Sequence, residues 1–104
     1  MQNDSMPNFS DGRKTVTAAG TRERLVASAT RAKKVEITGL ESNTDMIVVG
    51  GVTVVAGATL DGGGTRLGTP ISAGQTLTMY VEDLYDIYLD AVVSGEGVSY
   101  TYYY

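Results

Sequence analysis

Four carboxylates crowd nine residues near the C-terminal end of the chain: Glu82, Asp83, Asp86 and Asp90. Oxygen donors this close together could hold Ca²⁺, and a suitably separated pair could serve as the acid and base of a glycosidase. The spacing argues against both. Asp86 and Asp90 fall on one face of an extended segment about two pleats apart, Asp83 falls in a turn, and no DxDxDG…E pattern of an EF-hand occurs. The expectation is a solvated acidic edge, which also discourages stray strand pairing, and no metal site. The segment GGGTRLG at 62–68 invites a phosphate-loop reading, but that loop needs a Lys followed by Ser or Thr and then a helix. Neither is present, so a flexible loop and no cofactor are expected.

The chain contains no His and no Cys. The commonest general base, the commonest transition-metal ligand, thiolate nucleophiles and disulfides are therefore all missing. What remains is carboxylates, Lys, Ser, Thr and Tyr, and an enzyme is not expected. Binding is the better use of these residues. Seven of the eight basic residues lie in residues 1–34 against three acids, a balance of +4; residues 35–104 carry Arg66 against nine acids, a balance of −8. The densest basic group is Arg31, Lys33 and Lys34. Nucleic acid would want such a patch interleaved with stacking aromatics, whereas all seven tyrosines lie in the last quarter of the chain. Salt bridges to an acidic protein surface fit the basic group better, and nucleic acid is not an expected partner.

The tyrosines themselves are interface residues by type, large and amphipathic at low entropy cost. Half of them can equally pack inside the sandwich, and alternation allows both uses, with Tyr100 and Tyr102 in the core and Tyr80, Tyr88 and Tyr103 facing out. An aromatic platform for sugars is a further use of the same residues.

The elements that must position these groups are strands. At 104 residues, with 13 Gly and no long runs of helix-forming residues, one small domain of short strands and many turns is expected. Residues 1–14, polar apart from Phe9, look like a flexible arm. Strands are expected at 15–18, 23–29, 33–38, 46–49, 52–55, 76–82, 86–93 and 98–103. Gly50-Gly51 can be a two-residue hairpin loop, or the chain can leave the strand there into an extended loop. Gly62-Gly63-Gly64 marks a loop tip. The closing stretch DIYLDAVVSGEGVSYTYYY alternates on both sides of Ser94–Gly97 and predicts a hairpin. The fold class that follows is all-β, a small antiparallel, jelly-roll-like sandwich of about seven or eight strands, with an arm at 1–14 and one domain at 15–104. The N-terminal segment lacks the apolar stretch of a signal peptide, and the longest apolar run, 46–49, is far below the ~20 residues of a spanning helix. Synthesis in a cytosol and no membrane partner are the expectations.

The stretch TPISAGQTLTMYVEDLYDIYLDAVVSGEGVSYTYYY resembles small virion proteins of tailed bacteriophages. Pro70, Gly74, Asp83-Leu84, Asp86-Ile87-Tyr88, Asp90 and Gly95-Glu96-Gly97-Val98-Ser99-Tyr100 carry the likeness, and 15–25 and 47–51 extend it. The glycine-rich insertion at 56–68 departs from the tighter loop of that pattern. The resemblance implies a capsid decoration (cement) protein with a β-sandwich or jelly-roll-like fold, made in the bacterial host and carried on the virion surface. Its partner would be the major capsid protein. Phe9, Arg13 and Lys14 of the arm, with Arg31, Lys33 and Lys34, would face the capsid. Tyr80, Tyr88, Tyr103 and Tyr104 would serve self-association into a homo-oligomer, for which a trimer is one form. A tail, baseplate or head-fibre component is the alternative within that class, and a carbohydrate-binding module is the alternative outside it.

Overall fold

The computed structural model describes residues 8–57 and 64–104. Eight strands build two four-stranded antiparallel sheets: β1 (Phe9–Thr15), β2 (Glu23–Arg24), β3 (Lys34–Gly39), β4 (Ile47–Gly50), β5 (Thr69–Ile71), β6 (Thr76–Met79), β7 (Tyr88–Ala91) and β8 (Gly97–Tyr103). One sheet, A, has the order β1-β8-β3-β6; the other, B, has the order β2-β7-β4-β5. Pairs 1–8, 2–7, 3–6 and 4–5 are nested about the β4–β5 connection, and the chain crosses between sheets at nearly every step. That nesting is the wrapping of an eight-strand jelly roll.

The closing stretch is therefore not a hairpin. β7 lies in sheet B and β8 in sheet A, and Ser94–Gly97 is an arch that carries the chain across the sandwich. The alternation on both sides is real, but alternation says which side of a strand is apolar and not which strand lies beside it. Hydrogen bonds to two distant segments hold the arch. Gly95 N–H donates to Val16 O at 2.7 Å, and Asn43 Nδ2 donates to Gly97 O at 2.8 Å while Gly97 N–H donates to Asn43 Oδ1 at 3.2 Å. Glu96 accepts from Thr44 N–H at 2.6 Å, Thr44 Oγ1 at 2.7 Å and Asp45 N–H at 3.1 Å.

The arm expected at 1–14 is also corrected. From Phe9 the chain is β1, paired along its whole length with β8; residues 1–7 of that arm lie outside the described residues. The strand escapes periodicity because its inward positions are Ser10, Gly12 and Lys14, none of them apolar. The neighbouring strand supplies the missing bulk. Tyr100 pairs with Gly12, and its ring occupies the space a side chain at 12 would take, since a Cβ there would sit 2.4 Å from the Tyr100 hydroxyl. A cross-strand aromatic laid over a glycine restores the packing that the glycine lacks. The strand expected at 15–18 accordingly shifts upstream, and that at 23–29 shortens to Glu23–Arg24. Beyond Arg24, Leu25 is buried but Ala27 is exposed.

Strand β4 ends at Gly50, and 51–53 is a turn, so the extended-loop reading of this region holds and Val52–Val55 is not a strand. Strand β5 was invisible in sequence: three residues with Pro70 in the middle give no alternation, and Pro is tolerated because β5 is an edge. The Gly62–Gly64 loop tip lies outside the described residues except for Gly64.

The core between the sheets contains Val16, Leu25, Val35, Ile37, Ile47, Val49, Ile71, Leu84, Ile87, Leu89, Ala91 and Val98, with Leu77, Met79, Val81, Tyr100 and Tyr102 packed against it. Each fully buried Val, Leu or Ile contributes about 1.5–3 kcal/mol. Alternation in the sequence sets Val35 and Ile37 of β3, Leu77 and Met79 of β6, Leu89 and Ala91 of β7, and Val98, Tyr100 and Tyr102 of β8 on one face of their strands, and these are the residues that pack in the core.

Candidate interaction surface

The register of sheet A fixes what its outer face presents. Opposed residues of antiparallel strands share a face, so the outward side chains form three rows across the strands. Phe9 (β1), Tyr103 (β8) and Lys34 (β3) make the first; Tyr80, the residue after β6, falls opposite Lys34 by the same register and completes it. Asp11, Thr101, Glu36 and Thr78 make the second, and Arg13, Ser99, Thr38 and Thr76 the third.

The first row is aromatic and built to hold its shape. The Phe9 and Tyr103 rings lie with centroids 6.2 Å apart, and Lys34 Nζ sits 4.9 Å from the Tyr103 centroid, a cation–π contact. Tyr103 Oη donates to Glu36 Oε1 at 2.8 Å, and this bond raises the phenol pKa above its ordinary value. Phe9 is 68% exposed and Tyr80 79% exposed. The second and third rows are hydroxyls and charges. Thr38 and Thr76 share a hydrogen bond of 2.8 Å across β3 and β6, and Asp11, Glu36, Thr38, Thr76, Ser99 and Thr101 line a shallow open depression.

The structure divides the residues singled out in sequence among four places. Phe9, Lys34, Tyr103 and Tyr80 come together in the aromatic row. Arg13 stands on the same face, two rows away. Arg31, Lys33 and Tyr104 line a groove at the end of the sandwich together with Glu82, Asp83 and Asp86, so this basic cluster meets the acidic one within the chain. Lys14 points inward and spans the open side of the sandwich to Glu23 on β2, Nζ to Oε1 2.7 Å; the pair, with Thr17 N–H, lowers the Glu23 pKa. Tyr88 belongs to sheet B, half-buried, where Arg24 lies 4.7 Å from its centroid and 3.7 Å from that of Tyr85.

The acidic cluster divides: Glu82, Asp83 and Asp86 stay at that groove, and Asp90 lies apart. Asp83 caps the 3-10 turn Leu84–Asp86, accepting from Tyr85 N–H at 2.9 Å and Thr30 N–H at 2.8 Å; the Thr30 bond is the leading cause of its lowered pKa. Asp90 is no part of a solvated edge. It is 2% exposed and accepts from Gly20 N–H at 3.0 Å, Ala56 N–H at 2.8 Å and Ala91 N–H at 2.8 Å. The outer face of sheet B, where Asp90 points, is roofed by the chain after β4, and Val48, Val54 and Ala56 are buried there with Tyr88 and Val92 against them. Alternation with Leu89 and Ala91 sets Asp90 on the face away from the core, but nothing local shows that the roof returns over that face, and the solvated edge expected of Asp90 is corrected by its burial. Among the described residues no group of three or more His, Cys, Asp or Glu converges as a metal site, and no helix is long and apolar enough to cross a membrane.

Comparisons of the chain with protein-family models, with curated proteins and with solved structures give no match.

Proposed function

We propose that this protein is a virion structural component that docks on the outside of a phage capsid and reinforces it, with the outer face of sheet A as the docking surface. The observation that carries the reading is the exposed row Phe9–Tyr103–Lys34–Tyr80. Aromatic side chains held on a hydrogen-bonded sheet lose little conformational freedom on binding, and that pre-organisation is where affinity comes from in small interfaces. Arg13 on the same face adds a charge for orientation. The class of partner rests on the likeness of residues 15–104 to phage virion proteins. Repetition of one modest contact at symmetric lattice sites supplies avidity without a large single interface.

Gold-labelled antibody against the chain, applied to virions of the phage that carries the gene, tests this. Label over the head is the expected result. Label confined to the tail reassigns the protein to a tail, baseplate or head-fibre role, and unlabelled virions overturn the proposal.

A second reading is favoured by one feature of the same face. Asp11, Glu36 and the threonine hydroxyls border the aromatic row, and aromatic faces beside carboxylates are the groups that bind sugars. A glycan array without signal above background rejects it.

A further inference from the structure

Sheet A ends on β6, and this edge differs from the other three. β5 carries Pro70, β2 is Glu23-Arg24 preceded by Arg22, and β1 carries Asp11, Arg13 and Lys14. Charges, proline and shortness are the devices that keep an open edge from pairing with another chain. β6, Thr76-Leu77-Thr78-Met79, has neither charge nor proline, and among the described residues no strand lies beyond it. Gly39 N–H donates to Gln75 O at 3.0 Å. In an alternating antiparallel ladder the main-chain groups of Leu77 and Met79 then face β3, and those of Thr76, Thr78 and Tyr80 point away from the sheet. The side chains of Leu77 and Met79 lie against the core but stay only half-buried, since among the described residues no strand flanks them on the open side.

We propose that β6 pairs antiparallel with β6 of a second copy of this chain, about a two-fold axis through Thr78. Parity excludes odd slips, since a slip of one residue would set inward Leu77 against outward Thr78, and centring the axis on Thr78 opposes the outward set Thr76, Thr78 and Tyr80 to itself. With Thr78 opposite itself, Leu77 meets Met79 of the second copy on the inner face, and Thr76 meets its Tyr80 on the outer face. The opposed pairs 76–80, 78–78 and 80–76 are those whose main-chain groups point outward, so each pair exchanges two hydrogen bonds. No like charges are opposed, since Glu82 falls opposite Gly74. The result is one continuous eight-stranded sheet, closed by an isologous contact, in which Leu77 and Met79 complete their burial. This pairing is independent of what the outer face binds.

Sedimentation equilibrium from about 1 to 300 µM tests it, because a self-associating species shifts by mass action over that range. The wild-type chain is expected to reach twice its 11.0 kDa. Thr78→Lys brings two ammonium groups together at the axis, and Thr78→Pro removes an outward N–H that the fold itself does not use. Both are expected to halve the mass to that of one chain while keeping the far-UV circular dichroism of the wild type. A wild-type chain that stays at 11.0 kDa throughout, a mass above that of a dimer, or a dimer that persists in Thr78→Lys overturns the proposal. Should Thr78→Pro fail to fold, Thr78→Lys, at an exposed position, decides alone.

Discussion

The two outer faces of this sandwich have opposite fates. On sheet B the chain after β4 folds back as a roof, buries Val48, Val54 and Ala56, and seals a carboxylate beneath it. On sheet A no roof forms among the described residues, and the outward rows keep their aromatic, hydroxyl and charged side chains in contact with solvent. The difference is that β4 is apolar on both sides, Ile47, Val48 and Val49 all being buried, whereas β3 alternates Lys34, Glu36 and Thr38 with its buried residues. A strand apolar on both faces demands a second layer; a strand apolar on one face leaves the other for partners. One sheet is covered on both faces, and the other keeps one face in solvent among the described residues.

The strongest way to break this contrast is to unseat the roof. Asp90→Ala leaves the buried N–H of Ala56 without an acceptor and also removes the acceptor of Gly20 N–H, which lies at the surface. Charge-assisted hydrogen bonds of this kind contribute about 1.5–3 kcal/mol each, so a loss of about 3 kcal/mol is expected. Thermal unfolding should show the midpoint falling by on the order of 15 °C, with Asp90→Asn, which keeps one oxygen, falling less.

Gly68→Ala comes next. Gly68 has φ +119°, and a Cβ there would lie 2.8 Å from Val49 O and 2.9 Å from side-chain carbons of Val48 and Val54. Strain and overlap at the seam between roof and sheet should cost about 2 kcal/mol, measurable as a lower urea midpoint at unchanged slope.

Acid should also loosen the arch. Burial pushes the Glu96 carboxyl up, but the backbone N–H and hydroxyl of Thr44 and the N–H of Asp45 outweigh it, and the net pKa lies below the ordinary 4.5. Glu23 is lowered too, chiefly by Lys14. A carboxylate with a depressed folded pKa contributes stability that is present above its unfolded pKa and is lost as pH falls through the folded one. Stability should therefore decline below about pH 4.5, and Glu96→Gln should flatten that decline by no more than about 1 kcal/mol, read from urea titrations at pH 3 and pH 6.

The smallest stability effects belong to sheet A. Phe9→Ala and Tyr80→Ala remove side chains that are mostly in solvent, so each should change stability by less than about 0.5 kcal/mol. If the outer face is a docking surface, the same pair of changes should cost about 2 kcal/mol or more in binding, roughly 30-fold in affinity to capsid particles. Loss of stability without loss of binding would reverse the roles assigned to the two faces.

Most strands of the jelly roll were legible because their inward residues are apolar at every second position, as in Val35 and Ile37 or Leu77 and Met79. Other features were not. β1 lacked a signal because Tyr100 of another strand supplies its packing. β5 was too short to alternate. The roof over sheet B was hidden because Asp90 looks, in sequence, like any exposed acid. The candidate surface was half legible: alternation puts Lys34, Glu36, Thr76, Thr78, Tyr80 and Tyr103 outward, whereas the place of Phe9 in a paired strand, of Lys14 beside Glu23 and of Tyr88 in sheet B depends on pairings across the sandwich.

What the sequence determined by itself was class and facing: strands rather than helices, and which side of each strand is apolar, since both follow from local side-chain type and a period of two. What only the tertiary structure decided was neighbourhood. That β7 and β8 part into different sheets, that the basic and acidic clusters meet in one groove, and that Asp90 is buried while Glu36 stays at the surface all depend on pairings between residues tens of positions apart. Those pairings are set by the burial of the whole core at once, and no local pattern in the chain encodes them.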